Sequence, residues 1–140
     1  MFDIQRLARQ PSLAEAPTCD ARLIVTARLW VTLRKRGFDP DIMTAQRLGT
    51  AEAACRFWLL MEEVGAAWPE PFMVSPPCCG RMSTDEATLL TMIVQAGRNQ
   101  RIEFIATLRE MIPIESADRL YAATRSLLDA MPRPIRVARA

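Results

Sequence analysis

Apolar residues recur every three or four positions along most of this chain, and helix is the only element that period predicts. Leu23, Ile24, Ala27, Trp30 and Val31 share one face of a helix capped at Asp20, running to about residue 36 and stopped by Gly37. Val25, Leu29 and Leu33 lie off that face. The helix is therefore apolar over most of its circumference, as expected at a bundle centre or an oligomer interface.

A short helix to about Leu48 and a tight turn at Gly49 lead to a cap at Thr50. The next helix, 51 to about 67, carries the clearest stripe: Ala53, Ala54, Phe57, Leu60, Met61, Val64 and Trp68, with Glu52, Arg56 and Glu63 opposite. Pro69 and Pro71 end it and open a proline-rich connection to Arg81, longer than most links between helices and so functional, packed or mobile. Ser83 and Glu86 have capping-box spacing and start a helix that reaches about Gly97, with Leu89, Met92, Ile93 and Ala96 inward and Thr84, Thr88, Thr91 and Gln95 outward.

A further helix from about residue 99 to 111 is expected to turn Ile102, Ile105, Leu108 and Ile112 to the core, with Phe104 and Met111 flanking, and Pro113 stops it. Ser116 then caps a last helix in which Leu120, Tyr121, Thr124, Leu127, Leu128 and Met131 repeat at bundle spacing. Residues 1–19, with a short helix to Arg9 and then Pro11 and Pro17, read as a surface arm, and the basic, proline-bearing residues 132–140 as a disordered tail. No strand pattern or internal repeat is present. The expected fold is all-α: one domain over 1–140, an irregular bundle of five or six helices with a proline-rich loop at 69–81.

Composition narrows the function. At 140 residues the chain can bury a real core. Half its residues are hydrophobic, yet no run approaches the roughly 18 to 20 apolar residues of a membrane span. MFDIQRLARQP has no secretory apolar region, so the expected location is the cytoplasm, where four cysteines are reduced thiols or ligands rather than a disulfide framework. A net charge of +2, with acidic residues interspersed among basic ones, does not call for a polyanionic partner. All but one of the 18 basic residues are arginine, an excess that could serve anion recognition but that codon composition explains better, because acidic residues are interspersed among them. The chain has no histidine, which excludes a Ser/His/Asp triad, a Cys/His dyad and histidine-ligated zinc.

Three features carry candidate chemistry. Cys78 and Cys79 are adjacent on a loop that Pro76, Pro77 and Gly80 keep out of helix. A trans peptide holds adjacent α-carbons about 3.8 Å apart, below the roughly 4.4 Å where disulfides begin, so the two do not bridge one another. They are candidate reactive or redox-sensing thiols beside Arg81, or, with Cys19 and Cys55, four sulfurs for a metal. The plainer expectation is buried structural thiols under the loop. Cys78, Cys79 and Gly80 resemble the Cys-Cys-Gly motif of heterodisulfide-reductase-type cluster domains. The resemblance covers those three residues alone, the downstream Cys-Pro-x-x-Cys element is absent, and no cofactor or metal is assigned from it.

Residues 44–58 resemble a helix-turn-helix DNA-binding motif, with Ala45, Gly49, Cys55 and Trp58 at the positions that hold its two helices together. The recognition helix would offer Glu52 and Arg56 among small and apolar side chains, a poor set for reading bases. The acidic pairs Glu62 and Glu63, Glu103 and Glu110, and Asp118 and Asp129 lack the spacing that sets two carboxylates on one helical turn.

The expectation is a cytoplasmic, non-catalytic interaction or scaffolding module without a cofactor. It associates with itself or another protein through Trp30, Leu33, Trp68, Phe72 and Met73, and neither a membrane nor a nucleic acid is its partner. A thiol or metal sensor at Cys78 and Cys79 is the competing reading, and DNA binding through 44–58 follows it.

Overall fold

The computed structural model describes residues 12–132; the expected helix before Arg9 and the expected disordered tail lie outside that range, apart from Pro132. A 3-10 turn at Leu13–Glu15 precedes six α-helices: α1 Thr18–Lys35, α2 Asp41–Leu48, α3 Ala51–Ala67, α4 Thr84–Gly97, α5 Arg101–Leu108 and α6 Ile114–Ala130. The described residues form an all-α bundle with no strand and no helix long and apolar enough to cross a membrane.

Helix ends follow local chemistry. Thr18 and Cys19 belong to α1 rather than to an arm, because Pro17 accepts the first backbone bond from Ala21 (2.9 Å) and leaves Asp20 in the first turn. At the far end, Phe38 N–H donates to Leu33 (2.9 Å) and Gly37 N–H to Arg34 (3.1 Å), with Gly37 left-handed at φ 77°, a Schellman closure. Asn99 does the same for α4 at φ 56°, with Gln100 N–H on Gln95 (2.9 Å) and Asn99 N–H on Ala96 (3.1 Å). The expected helix start near 99 is thereby moved to Arg101: a left-handed residue ends one helix and cannot begin the next. Ser116 does not cap α6. Pro113, extended and without an N–H to satisfy, stands at the boundary, and its carbonyl receives Ala117 N–H at 3.0 Å.

Helix α3 packs chiefly on α6 and also on α2, while α4 joins α1, α5 and α6. One continuous core results, drawing Ile24 and Ala27 from α1, Phe57, Leu60 and Val64 from α3, Met92 and Ile93 from α4, and Leu120 and Leu127 from α6. Two aromatic pairs brace it edge to face, Phe104 with Tyr121 at 5.2 Å and Trp68 with Phe72 at 5.3 Å between centroids.

Helix α5 is rotated from its expected register. Phe104, Leu108 and Ile112 are buried, whereas Ile102 is 80% exposed and Ile105 half-buried. Two apolar stripes compete on this helix, and the one bearing phenylalanine removes more apolar area from water.

Candidate functional site

The loop between α3 and α4 is packed, not loose. Trp68, Phe72 and Met82 are buried beneath it, and the start of α4 fastens it from the polar side. Asp85 accepts from the Trp68 indole N–H (3.2 Å) and from Met73 N–H (2.8 Å), while the Ser83 hydroxyl donates to the Met73 carbonyl (2.7 Å). The expected capping box is present, with Glu86 N–H on Ser83 Oγ at 3.0 Å and Ser83 N–H on Glu86 Oε1 at 2.8 Å.

Beneath the loop lies a group that sequence patterning missed. Arg28 and Glu86 are both 0% exposed and paired, Nε to Oε2 at 2.6 Å and Nη2 to Oε1 at 3.2 Å. Arg28 also donates from Nη1 to the Cys79 carbonyl (2.7 Å) and from Nη2 to the Arg81 carbonyl (2.9 Å). The Gly80 carbonyl between them accepts Leu13 N–H at 2.7 Å, so three successive carbonyls are held, two from inside the molecule and one by the chain ahead of α1. Among the described residues no buried side-chain polar atom lacks a partner. Arg28 occupies a helix face otherwise made of Ile24, Ala27 and Val31, where patterning expects no charge.

The thiols above this anchor are not the buried structural pair expected of them. Cys78 is exposed, Cys79 half-buried, and both are free. Pro76 O accepts Cys79 N–H at 2.9 Å, closing a turn that sets Cys78 at its outer corner. Cys19 and Cys55 are exposed on α1 and α3, and the four sulfurs do not converge; no three potential metal ligands cluster among the described residues.

The expected interaction surface is largely core. Trp30, Trp68 and Phe72 are buried, Leu33 is half-buried, and Met73 alone stands out, 58% exposed. Trp30 packs edge-on against Trp58 (5.4 Å), with the Arg34 guanidinium over both rings at 5.2 and 4.5 Å and held by Glu62 at 2.9 Å. On α1, then, Trp58 of α3 and Arg34 cover the Trp30 ring, while Val25, Leu29 and Leu33, off the main face, are half-buried rather than open.

Exposed apolar surface gathers instead where α5 meets the start of α6. Ile102, Ile105, Ala106, Ile112, Pro113, Ile114 and Ala117 line a groove of about 610 Å3, with Arg109 the single charge in its wall. Ile102 and Ile114, 80% and 60% exposed, form its lips. Arg101 pairs with Asp118 nearby. A smaller depression of about 370 Å3 between α2 and α3 is walled by Ile42, Cys55 and Trp58.

Helices α2 and α3 do meet at a left-handed Gly49 (φ 93°), with the Thr50 hydroxyl accepting Ala53 N–H at 3.1 Å. The outward face of α3 presents Glu52, Glu62 and Glu63 beside one arginine, Arg56, which donates to Ser126 at 2.7 Å. The other acidic residues are also spread out: Glu63 faces Arg119 (3.5 Å), Asp129 faces Arg125 (2.7 Å), and Glu103 and Glu110 are exposed. Partial burial raises the Asp20 carboxyl above its usual range, an effect Arg98 opposes.

No protein-family model matches the chain, and neither the curated proteins nor the solved structures give a significant match.

Proposed function

We propose that this is a non-catalytic protein-association module of the cytoplasm, whose docking surface is the groove between α5 and α6. The observation that carries the reading is the clustering of Ile102, Ile105, Ile112 and Ile114 around one concavity, with its two lip residues largely in water. Isolated exposed apolar residues are ordinary, whereas a grouped set with a concave floor is the form that receives an apolar side chain or helix from another chain. Both lips are aliphatic and the wall holds one cation, so the fit is to an apolar segment, from a second copy or another protein, and not to a polyanion. On the outer face of α3 the arginines are engaged by glutamates, Arg56 by Glu52, Arg34 by Glu62 and Arg119 by Glu63, which leaves nucleic acid the weaker reading.

The test is Ile102→Glu with Ile114→Glu. Both sites are exposed, so the variant keeps its circular dichroism and melting temperature. Sedimentation velocity reports self-association and affinity capture from the native cell reports a foreign partner. Loss of either association in the variant supports the reading; associations that survive unchanged, or a wild-type chain that forms none, refute it.

A further inference from the structure

We propose that Cys78 and Cys79 form a two-sulfur site for a soft monovalent metal ion, Cu(I) being the ion whose chemistry it fits. The donor set comes first. The two free thiols are adjacent, one exposed and the other half-exposed, on a segment that includes Pro76 and Pro77. Neighbouring cysteines are poorly placed to oxidise to one another, because their α-carbons sit about 3.8 Å apart, so the pair stays available to an external ligand.

The count of donors then selects the ion. Zinc and iron-sulfur centres need four protein ligands or a close substitute, and no third cysteine, aspartate or glutamate joins this pair among the described residues. Thiolates prefer soft ions, and Cu(I) among them is satisfied by two sulfurs. Binding is a proton exchange without redox: each thiol releases its proton to solvent, two sulfur-metal bonds form, and copper enters and remains as Cu(I). The bis-thiolate complex carries one net negative charge. Arg81, two residues after Cys79 and with its side chain exposed, brings a cation to the same loop.

The loop is fixed before any ion arrives. The carbonyls of Cys79, Gly80 and Arg81 are held at 2.7, 2.7 and 2.9 Å by Arg28, Leu13 N–H and Arg28 again, and Cys79 N–H is held by Pro76. A pre-ordered backbone loses less entropy on chelation than a mobile one. Cys19 and Cys55 are exposed too, but each stands alone on a helix and offers one sulfur.

The test is anaerobic titration of the reduced protein with Cu(I) against a chromophoric Cu(I) chelator. The expected result is one ion per chain in wild type, Cys19→Ser and Cys55→Ser, and affinity at least ~100-fold weaker in Cys78→Ser and Cys79→Ser, as expected when two linked donors are cut to one. X-ray absorption should show a sulfur-only, two-coordinate shell. Both loop substitutions are at accessible positions, and an unchanged melting temperature separates ligand loss from unfolding. The proposal is overturned if wild type does not compete with the chelator, if either loop variant retains the ion, if Cys19→Ser or Cys55→Ser loses it, or if Zn(II) binds more tightly than Cu(I).

Discussion

At the scale of single residues the most consequential is Arg28. A buried ion pair is retained only if its remaining donors find partners, and here the guanidinium meets one carboxylate and two backbone carbonyls. Removing one partner leaves the other as an uncompensated buried charge. Arg28→Met is therefore expected to cost about 3–5 kcal/mol in urea unfolding. The double variant Arg28→Met, Glu86→Leu should not recover that stability, because Cys79 O, Arg81 O and Ser83 N–H lose their partners as well. Recovery to wild-type stability would mean that the pair is dispensable and the loop indifferent to it.

Nothing in the one-dimensional pattern announces this residue, since its partner lies 58 positions away and its helix face is otherwise apolar. The other end of the pair was partly legible: Ser83 and Glu86 identify the capping box, but not the second role of the same carboxylate. Asp20 adds a pH effect. Its folded-state pKa is raised by burial, so the folded chain holds the proton more strongly than the unfolded one, and stability falls as pH rises through the interval between the two values. Asp20→Asn should gain on wild type across that interval and lose the advantage in acid, where Asp20 is neutral in both states. A pH-independent difference between the two proteins would show that Asp20 does not titrate across folding.

At the scale of elements, most helices were legible because their ends are chemically marked. Thr50, Ser83 and Gly37 act where spacing places them. Ser83→Ala removes a cap and a bond to Met73 and should lower stability by about 1–2 kcal/mol. Gly49→Ala puts a β-carbon on a residue at φ 93°, at a cost of about 1–2 kcal/mol, while space is not the obstacle, since the nearest atom would be Pro132 Cγ at 3.5 Å. Thermal unfolding followed by circular dichroism measures both, and no loss in either would refute the role given to that end.

Two of the departures share a cause, a choice between two local solutions that only tertiary packing settles. Asn99 was as good a helix starter as a left-handed stop, and α5 carried two apolar stripes. The face with Phe104 and Leu108 went inward because Tyr121 was there to meet it, which turned Ile102 outward.

For the whole molecule, that rotation is what creates the groove. The sequence signalled surplus apolar surface but put it on α1, where Trp58 and the stacked Arg34 cover Trp30 and where Val25, Leu29 and Leu33 are half-buried. Moving the surplus to α5 and α6 keeps the inference of a protein partner and changes its address from Trp30, Trp68 and Phe72 to Ile102 and Ile114. Photo-cross-linking in the native cell tests that address most directly, with a benzophenone amino acid placed at position 102 in one strain and at the exposed position 70 in another. A discrete adduct from 102 and none from 70, whether to a second copy or to another protein, is the predicted result. No adduct from 102, or equal adducts from both positions, would contradict the groove as the docking surface.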